Sequence, residues 1–410
     1  MNTKMRFRIN LYRILIQGVL FIAFSIMFFP GGLEFISPQL FFIIDKMKFP
    51  TAFLMITCSL LFGKRRQEIP KVIVITVIMY GYLTFVSFCE DANWRLVVKE
   101  SFLAVAVLIM IWYNRKDSFK VLSPLLASLE WQIYLNLITI FLFPNGMYQE
   151  QLSGNVSNWI LGYDNSWNYL FFPALFIAII CRYLSGDSKR FWLLLIVMEF
   201  QSFYRWSIMC SFGFVVFDLL FLLRFYKGKI FNVRNYAIIA VMAMIVILFF
   251  RNNISFLETI SMAIGKDLYS MSNRSYIWMK AVEFIKIKPI FGYGRISVLD
   301  VAMSYYINKD AVHAHNMPLE LLFRGGIALF IIYFTGLIIS VKELLKNKNE
   351  EFVQVLSIAY LSVFLMMITQ VYLSPLSIVM IMLGGFSTQF VYEMHSRTQL
   401  RSRKKVAIRI

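Results

Sequence analysis

The chain has little of what a soluble, metal-built or disulfide-stapled protein needs. Charged residues make up 16% of its 410 positions, against 59% hydrophobic and 17% aromatic, and a water-facing surface requires more charge than that. Histidine occurs three times, at His313, His315 and His395, so a multi-histidine metal centre is not expected. The four cysteines, Cys58, Cys89, Cys181 and Cys210, lie in or beside apolar runs without the short paired spacing of a metal or redox site, and read as packing residues. No stretch alternates apolar and polar residues as an outer-membrane barrel would. No small-residue cleavage site precedes Pro30, so the basic N-terminus and first apolar run are expected to stay as a helix and not leave as a signal peptide. An internal repeat convincing enough to suggest an inverted-repeat transporter is also lacking.

What the chain has is a succession of apolar runs long enough to cross a hydrocarbon layer of about 30 Å. Backbone groups at that depth are satisfied only in helices or closed barrels, so an all-α polytopic membrane domain follows, and strands are not expected. Twelve spans are predicted over residues 1–410, at 12–29, 42–62, 71–88, 96–113, 121–143, 167–184, 191–205, 207–223, 235–250, 318–340, 352–372 and 376–392. Pro50, with Asp45, Lys46 and Lys48, interrupts the second, part of which is expected at the interface, and the seventh is short.

The net charge of +18 then becomes a topology signal, because Lys and Arg collect on the cytoplasmic side of a span. With the N-terminus inside, Lys4, Arg6, Arg8, Arg13, Lys64, Arg65, Arg66, Arg115, Lys116, Lys120, Lys189, Arg190, Lys227, Lys229, Arg234, Lys342, Lys346, Lys348 and the basic tail from Arg397 to Arg409 all fall inside. Both termini come out cytoplasmic. Anionic lipid headgroups are the natural partner of this charge, and nucleic acid is not needed to explain it.

Two long external segments remain, 144–166 and 251–317, and function is expected to concentrate there. In the larger one, Ile277, Trp278, Ala281, Phe284 and Ile285 recur at helical spacing opposite Lys280, Glu283 and Lys286, which predicts an amphipathic helix on the outer surface. Ser272 or Asn273 can cap its start, while Pro289, Gly292 and Gly294 end it in a tight turn. Arg274 in the first turn suits a phosphate group, or is a solvated arginine on an interface anchor. Further on, the stretch HAHNMP makes Asn316 a helix cap, with Pro318 in the first turn. His315 then sits at the outer membrane surface, as a proton acceptor for a hydroxyl or as a histidine bonded only to backbone.

Arg205, Arg251, Arg274, Arg295 and Arg324 map outside, where the inside rule should have removed them. A lipid diphosphate would meet such a group of arginines, and snorkelling to ordinary lipid phosphates is the plainer account. The smaller segment, with Tyr148, Gln149, Asn155, Asn158, Trp159, Tyr163 and Asp164, has the mixture of a sugar-binding wall or lid, and equally that of an aromatic membrane belt.

The series RSYIW…PIFGYG…HAHNMPLELLFRGGIALF resembles the signature of the bacterial O-antigen polymerase and ligase family (Wzy and WaaL types). The resemblance covers Arg274, Trp278, Pro289, Gly292, Gly294, His315, Asn316, Leu319, Gly326 and Ile327. It extends more loosely to Arg205, where Ser207 follows the arginine and does not precede it. The family often has an acidic residue where Arg324 stands, a role that moves to Glu320 or is absent.

The resemblance implies glycosyl transfer at the extracytoplasmic face of a bacterial inner membrane, from an undecaprenyl-diphosphate-linked oligosaccharide to an acceptor sugar hydroxyl. It implies no nucleotide sugar, no cofactor and no protein-bound metal, and a chain-length regulator as a further partner. On this reading Arg274 and Arg205 stabilise the diphosphate leaving group and His315 deprotonates or orients the hydroxyl. His313, Asn316, Arg295, Arg324, Tyr293, Trp159 and Tyr163 hold substrate. A polymerase is preferred, with a ligase acting on another acceptor as the alternative. A flippase for the same lipid-linked sugars is the competing class, since Glu130, Glu199 and Asp218 fall within spans.

Overall fold

A computed structural model describes residues 3–62, 68–149, 157–224, 234–236, 238–239, 241–243, 274–296 and 313–409. The fold is all-α and polytopic. Among the described residues, six helices are long and apolar enough to cross a membrane: α4 (Lys71–Cys89), α5 (Trp94–Tyr113), α6 (Phe119–Leu142), α7 (Asn168–Ser185, with a 3-10 turn before it), α11 (Met317–Lys346) and the run of α13 (Pro375–Met382) into α14 (Ser387–Arg409). Shorter apolar stretches lie in α1 (Thr3–Met27), α9 (Ile208–Leu223) and α12 (Glu351–Met366). Also present are α2 (Leu33–Ile36), α3 (Pro38–Phe62), α8 (Lys189–Tyr204) and α10 (Arg274–Ile287). The span expected at 235–250 lies mostly outside the described residues, as does most of 251–317.

The sequence expectations need four corrections. The external segment 144–166 holds a small antiparallel sheet, β1 (Tyr148–Gln149), β2 (Ser157–Trp159) and β3 (Gly162–Tyr163), with Asn158 opposite both Tyr148 and Tyr163. The rule against strands holds at hydrocarbon depth, and these strands sit at a helix end. The second correction concerns α3, which continues through Pro50 with Asp45 paired to Lys99 at 2.9 Å and to Lys48 at 3.3 Å. Third, the eleventh span stops being helical at Met366, leaving a buried, non-helical link before α13. Fourth, α11 is broken at Gly325 and Gly326.

The bundle is assembled around α7, which is buried along nearly its whole length against α6, α8, α12 and α13. On one side α4 packs against α5 and α11, and on another α1 packs against α3 and α6. Gly186 ends α7 in the left-handed conformation, φ +69°, so that its N–H bonds Arg182 O at 2.9 Å. One end of the bundle gathers Ser87 to Asn93, the small sheet, Arg205 to Ser207, the entry to α11 and the link after α12. Linking bonds run from Asn93 N to Arg295 O, Gly32 N to Ile160 O and Met317 N to Met367 O. The opposite end gathers the turns after α5, α7 and α11, tied by Ser118 N to Glu393 Oε2 at 2.8 Å and Asn347 Nδ2 to Thr388 Oγ1 at 2.8 Å.

The break in α11 explains the Gly-rich turn after α10. Gly326 takes φ +59° and ψ −162°, a conformation open essentially to glycine alone. Breaking the ladder there frees backbone groups that must find partners at depth. Tyr293 N and Gly294 N donate to Phe323 O and Arg324 O at 3.0 and 2.7 Å, and Ile327 N donates to Pro289 O at 2.8 Å. Tyr82 hydroxyl completes the set on Gly325 O at 2.8 Å. A Cβ on Gly326 would meet the Ile290 carbonyl. Gly326→Ala is therefore expected to destabilise by more than the ~1–3 kcal/mol of a strained backbone position, read as a lower melting temperature of the purified protein.

Candidate functional site

The turn from His313 to Met317 is held on several sides. Trp278, on the apolar face of α10, donates from Nε1 to Ala314 O at 2.9 Å. Glu320, one turn into α11, accepts the Ala314 N–H at 2.7 Å. Asn316 caps the helix as its sequence position predicts, accepting from Leu319 N at 3.0 Å, and its amide donates to Ile368 O at 2.9 Å. Between these ties His315 takes φ +48°, a left-handed conformation that non-glycine residues seldom adopt. Its N–H donates to His313 Nδ1 at 3.1 Å, and the two imidazole rings lie 4.1 Å apart. Because His313 Nδ1 is the acceptor, a neutral His313 carries its proton on Nε2.

The helix α10 packs into the protein through the face predicted to be apolar. Ile277, Trp278 and Ala281 are buried against Ala314 and Phe323, with Phe284, Ile285 and Leu319 beside them. Burying one side chain such as Ile277 contributes roughly 1.5–3 kcal/mol, so the helix rests on α11 and is more than a surface anchor. Arg274 opens this helix, and its side chain lies outside the described residues, together with Ser272 and Asn273. Arg251 is outside them too.

The remaining arginines divide by their partners. Arg324 is buried and paired with Glu320, so it neutralises the carboxylate that holds Ala314. Arg295 lies 3.4 Å from Glu100, and its N–H donates to Ser87 Oγ at 2.9 Å. The charge of Arg324, followed by burial, holds the Arg295 guanidinium below its ordinary pKa, against the opposing pull of Glu100 and Glu320. Arg205 closes α8, donates to Pro144 O at 3.1 Å and lies 4.2 Å from the centre of the Trp159 ring.

Trp159, expected at a sugar-binding wall, is fully buried. Its Nε1 donates to Phe143 O at 2.9 Å and its ring meets Trp167 edge-on; what it supports is Arg205. Tyr163 is exposed, with its hydroxyl accepting from Asn165 at 2.9 Å. Tyr293 stacks on Phe323 at 5.2 Å and donates to Phe284 O at 3.1 Å, so it fastens the Gly-rich turn.

His315 and Arg205 are linked through the segment after α12. Asn316 binds Ile368 O, and the next residue, Thr369, donates to Met209 Sδ at 3.2 Å. Met209 N and Ser207 Oγ in turn bind Asn165 Oδ1 and Asp164 O at 3.2 and 3.0 Å. The imidazole pair and the arginine thus share one end of the bundle.

Residues 191–334 match the family described as Wzy_C: O-Antigen ligase. The match supports the O-antigen polymerase and ligase family. A search of curated proteins finds no match. The matched stretch runs from α8 through Arg205, α10 and the Gly-rich turn to the His315 turn and the break in α11, and leaves out the small sheet and the link after α12. It supports the reading of a glycan-processing membrane protein of the Wzy and WaaL type.

Several supporting residues reach the site from distant elements. Glu100, Tyr82 and Ile368 reach the site from α5, α4 and the link after α12, and nothing in their local pattern announces it. Glu320 and Arg324 do have the i,i+4 spacing of a helical ion pair, and that spacing is a usable signal. The intramembrane carboxylates resolve in two ways. Glu130 is held by Arg190 at 2.7–2.9 Å, while Glu199 and Asp218 face each other between α8 and α9.

Proposed function

We propose that the protein polymerises polysaccharide repeat units, moving an undecaprenyl-diphosphate-linked oligosaccharide onto the sugar hydroxyl of an acceptor unit at the extracytoplasmic face. The observation that carries this reading is the strained His315 turn, tied to α10, α11 and the segment after α12 at the bundle end that also holds Arg205. The acceptor oxygen attacks the anomeric carbon, its proton passes to the His315 imidazole, and the bond from that carbon to the diphosphate oxygen breaks. Negative charge then grows on the departing lipid diphosphate. Arg205 and Arg274 are assigned to stabilise it, because fixed cations in a partly dry site act most strongly on charge that develops in the transition state. Arg295 adds positive potential nearby. His313 orients its neighbour, and Tyr163 offers an exposed ring for a sugar.

A ligase acting on another acceptor would use the same residues and differ only in what enters beside His315. The flippase reading draws on the Glu199 and Asp218 pair alone, since Glu130 is already neutralised by Arg190. Purified protein in detergent is expected to lengthen a lipid-diphosphate oligosaccharide in the presence of chelator and without nucleotide. Gradient-dependent movement of that lipid across a vesicle, with no lengthening, would replace the polymerase by the transporter.

A further inference from the structure

At the bundle end opposite His315, the C-terminal turn of α7 and the start of α8 enclose a cavity of about 110 Å³ whose walls include Phe119, Cys181, Arg182, Asp187, Arg190 and Phe191. Its two arginines are in different states. Arg190 is bonded through all three nitrogens, with Nε and Nη2 on Glu130 at 2.7–2.9 Å and Nη1 on Ser123 Oγ at 3.0 Å, so that pair adds no net charge. The Arg182 guanidinium lies among aromatic rings, 4.9 Å from the centre of Phe191 and 5.3 Å from those of Tyr183 and Trp192. Its Nη1 is buried and has no hydrogen-bond partner among the described residues.

Stacking on ring faces satisfies the plane of a guanidinium and leaves its in-plane N–H groups to find acceptors. A buried charged donor without an acceptor is costly, and an anion filling the space removes that cost. The nearest carboxylate on the wall, Asp187, already accepts Lys189 N at 3.0 Å at the start of α8. We propose that this cavity binds a phosphoryl oxyanion, with Arg182 Nη1 as its donor. A phosphoryl group fits the volume, whereas an acyl chain does not. The group can be the headgroup phosphate of an anionic phospholipid or free phosphate. The surrounding end of the bundle carries Lys120, Lys189 and Lys346, which suits either source. The site is distinct from the one assigned to the donor diphosphate, because α7 runs from one end to the other between them.

The test uses the full chain purified in an uncharged detergent, with its melting temperature followed while dioleoyl phosphatidylglycerol or inorganic phosphate is titrated in. Stabilisation that saturates is expected, and Arg182→Gln should weaken the midpoint by about tenfold, the size of one charge-assisted bond. Asp187→Asn keeps the acceptor for Lys189 N but removes a repelling charge, so it should tighten the midpoint severalfold, and it serves even if Arg182→Gln does not fold. A response to the lipid alone assigns the site to a headgroup, and an equal response to phosphate assigns it to the free ion. No stabilisation by either probe, or midpoints unchanged in Asp187→Asn and in a folded Arg182→Gln, overturns the proposal.

Discussion

Replacing His315 by alanine is expected to lower glycan transfer by about 10²–10⁴-fold, the usual contribution of a positioned proton acceptor, with an unchanged amount of protein in the membrane. The position needs care because its φ of +48° disfavours alanine for backbone reasons alone. Asparagine tolerates the left-handed region better, so His315→Asn separates the lost imidazole from a disturbed turn. Both variants should fail equally in the elongation assay. Transfer at the normal rate by His315→Asn would remove the imidazole from the chemistry, whatever the alanine variant does.

Glu320→Ala should be the most destabilising single change at the site. It leaves Arg324 buried without its carboxylate and Ala314 N without its acceptor, and breaking a buried ion pair from one side costs about 3–5 kcal/mol. The expected readout is a large fall in melting temperature and in the amount of folded protein. The double variant Glu320→Leu with Arg324→Met is expected to recover most of that stability, since apolar residues can replace a buried pair at little net cost. Activity should not recover with it, because Ala314 is still released and the turn presenting His315 loses one of its ties. A double variant that regained full transfer would show that the pair serves the fold only.

These two experiments bear on one stretch, residues 314–324, and that stretch shows how far the sequence could be read. The Asn316 cap and Pro318 in the first turn were legible because capping is local chemistry, decided within three or four residues. The apolar face of α10 was legible for the same reason, since its side chains recur at helical spacing. What that face packs against was not, and only the packing seats it on α11. Trp159 shows the same limit. Its residue type suits a sugar wall or a membrane belt, and only the packing of α6, the small sheet and α8 buries it beneath Arg205.

The glycines divide in the same way. Pro289, Gly292 and Gly294 announced a turn, and the pair Gly325–Gly326 could have announced a break. That the turn supplies the hydrogen bonds the break releases needed the two segments side by side, thirty or more residues apart in the chain. By itself the sequence determined the solvent the protein lives in, the helical class, most span positions and the residue types available for chemistry, because hydropathy, capping and turn preferences act over a few neighbours. Tertiary structure alone decided which arginines are already neutralised, which face of each helix is covered, and which distant backbone groups bond one another. Those outcomes depend on residues that meet only when the helices pack.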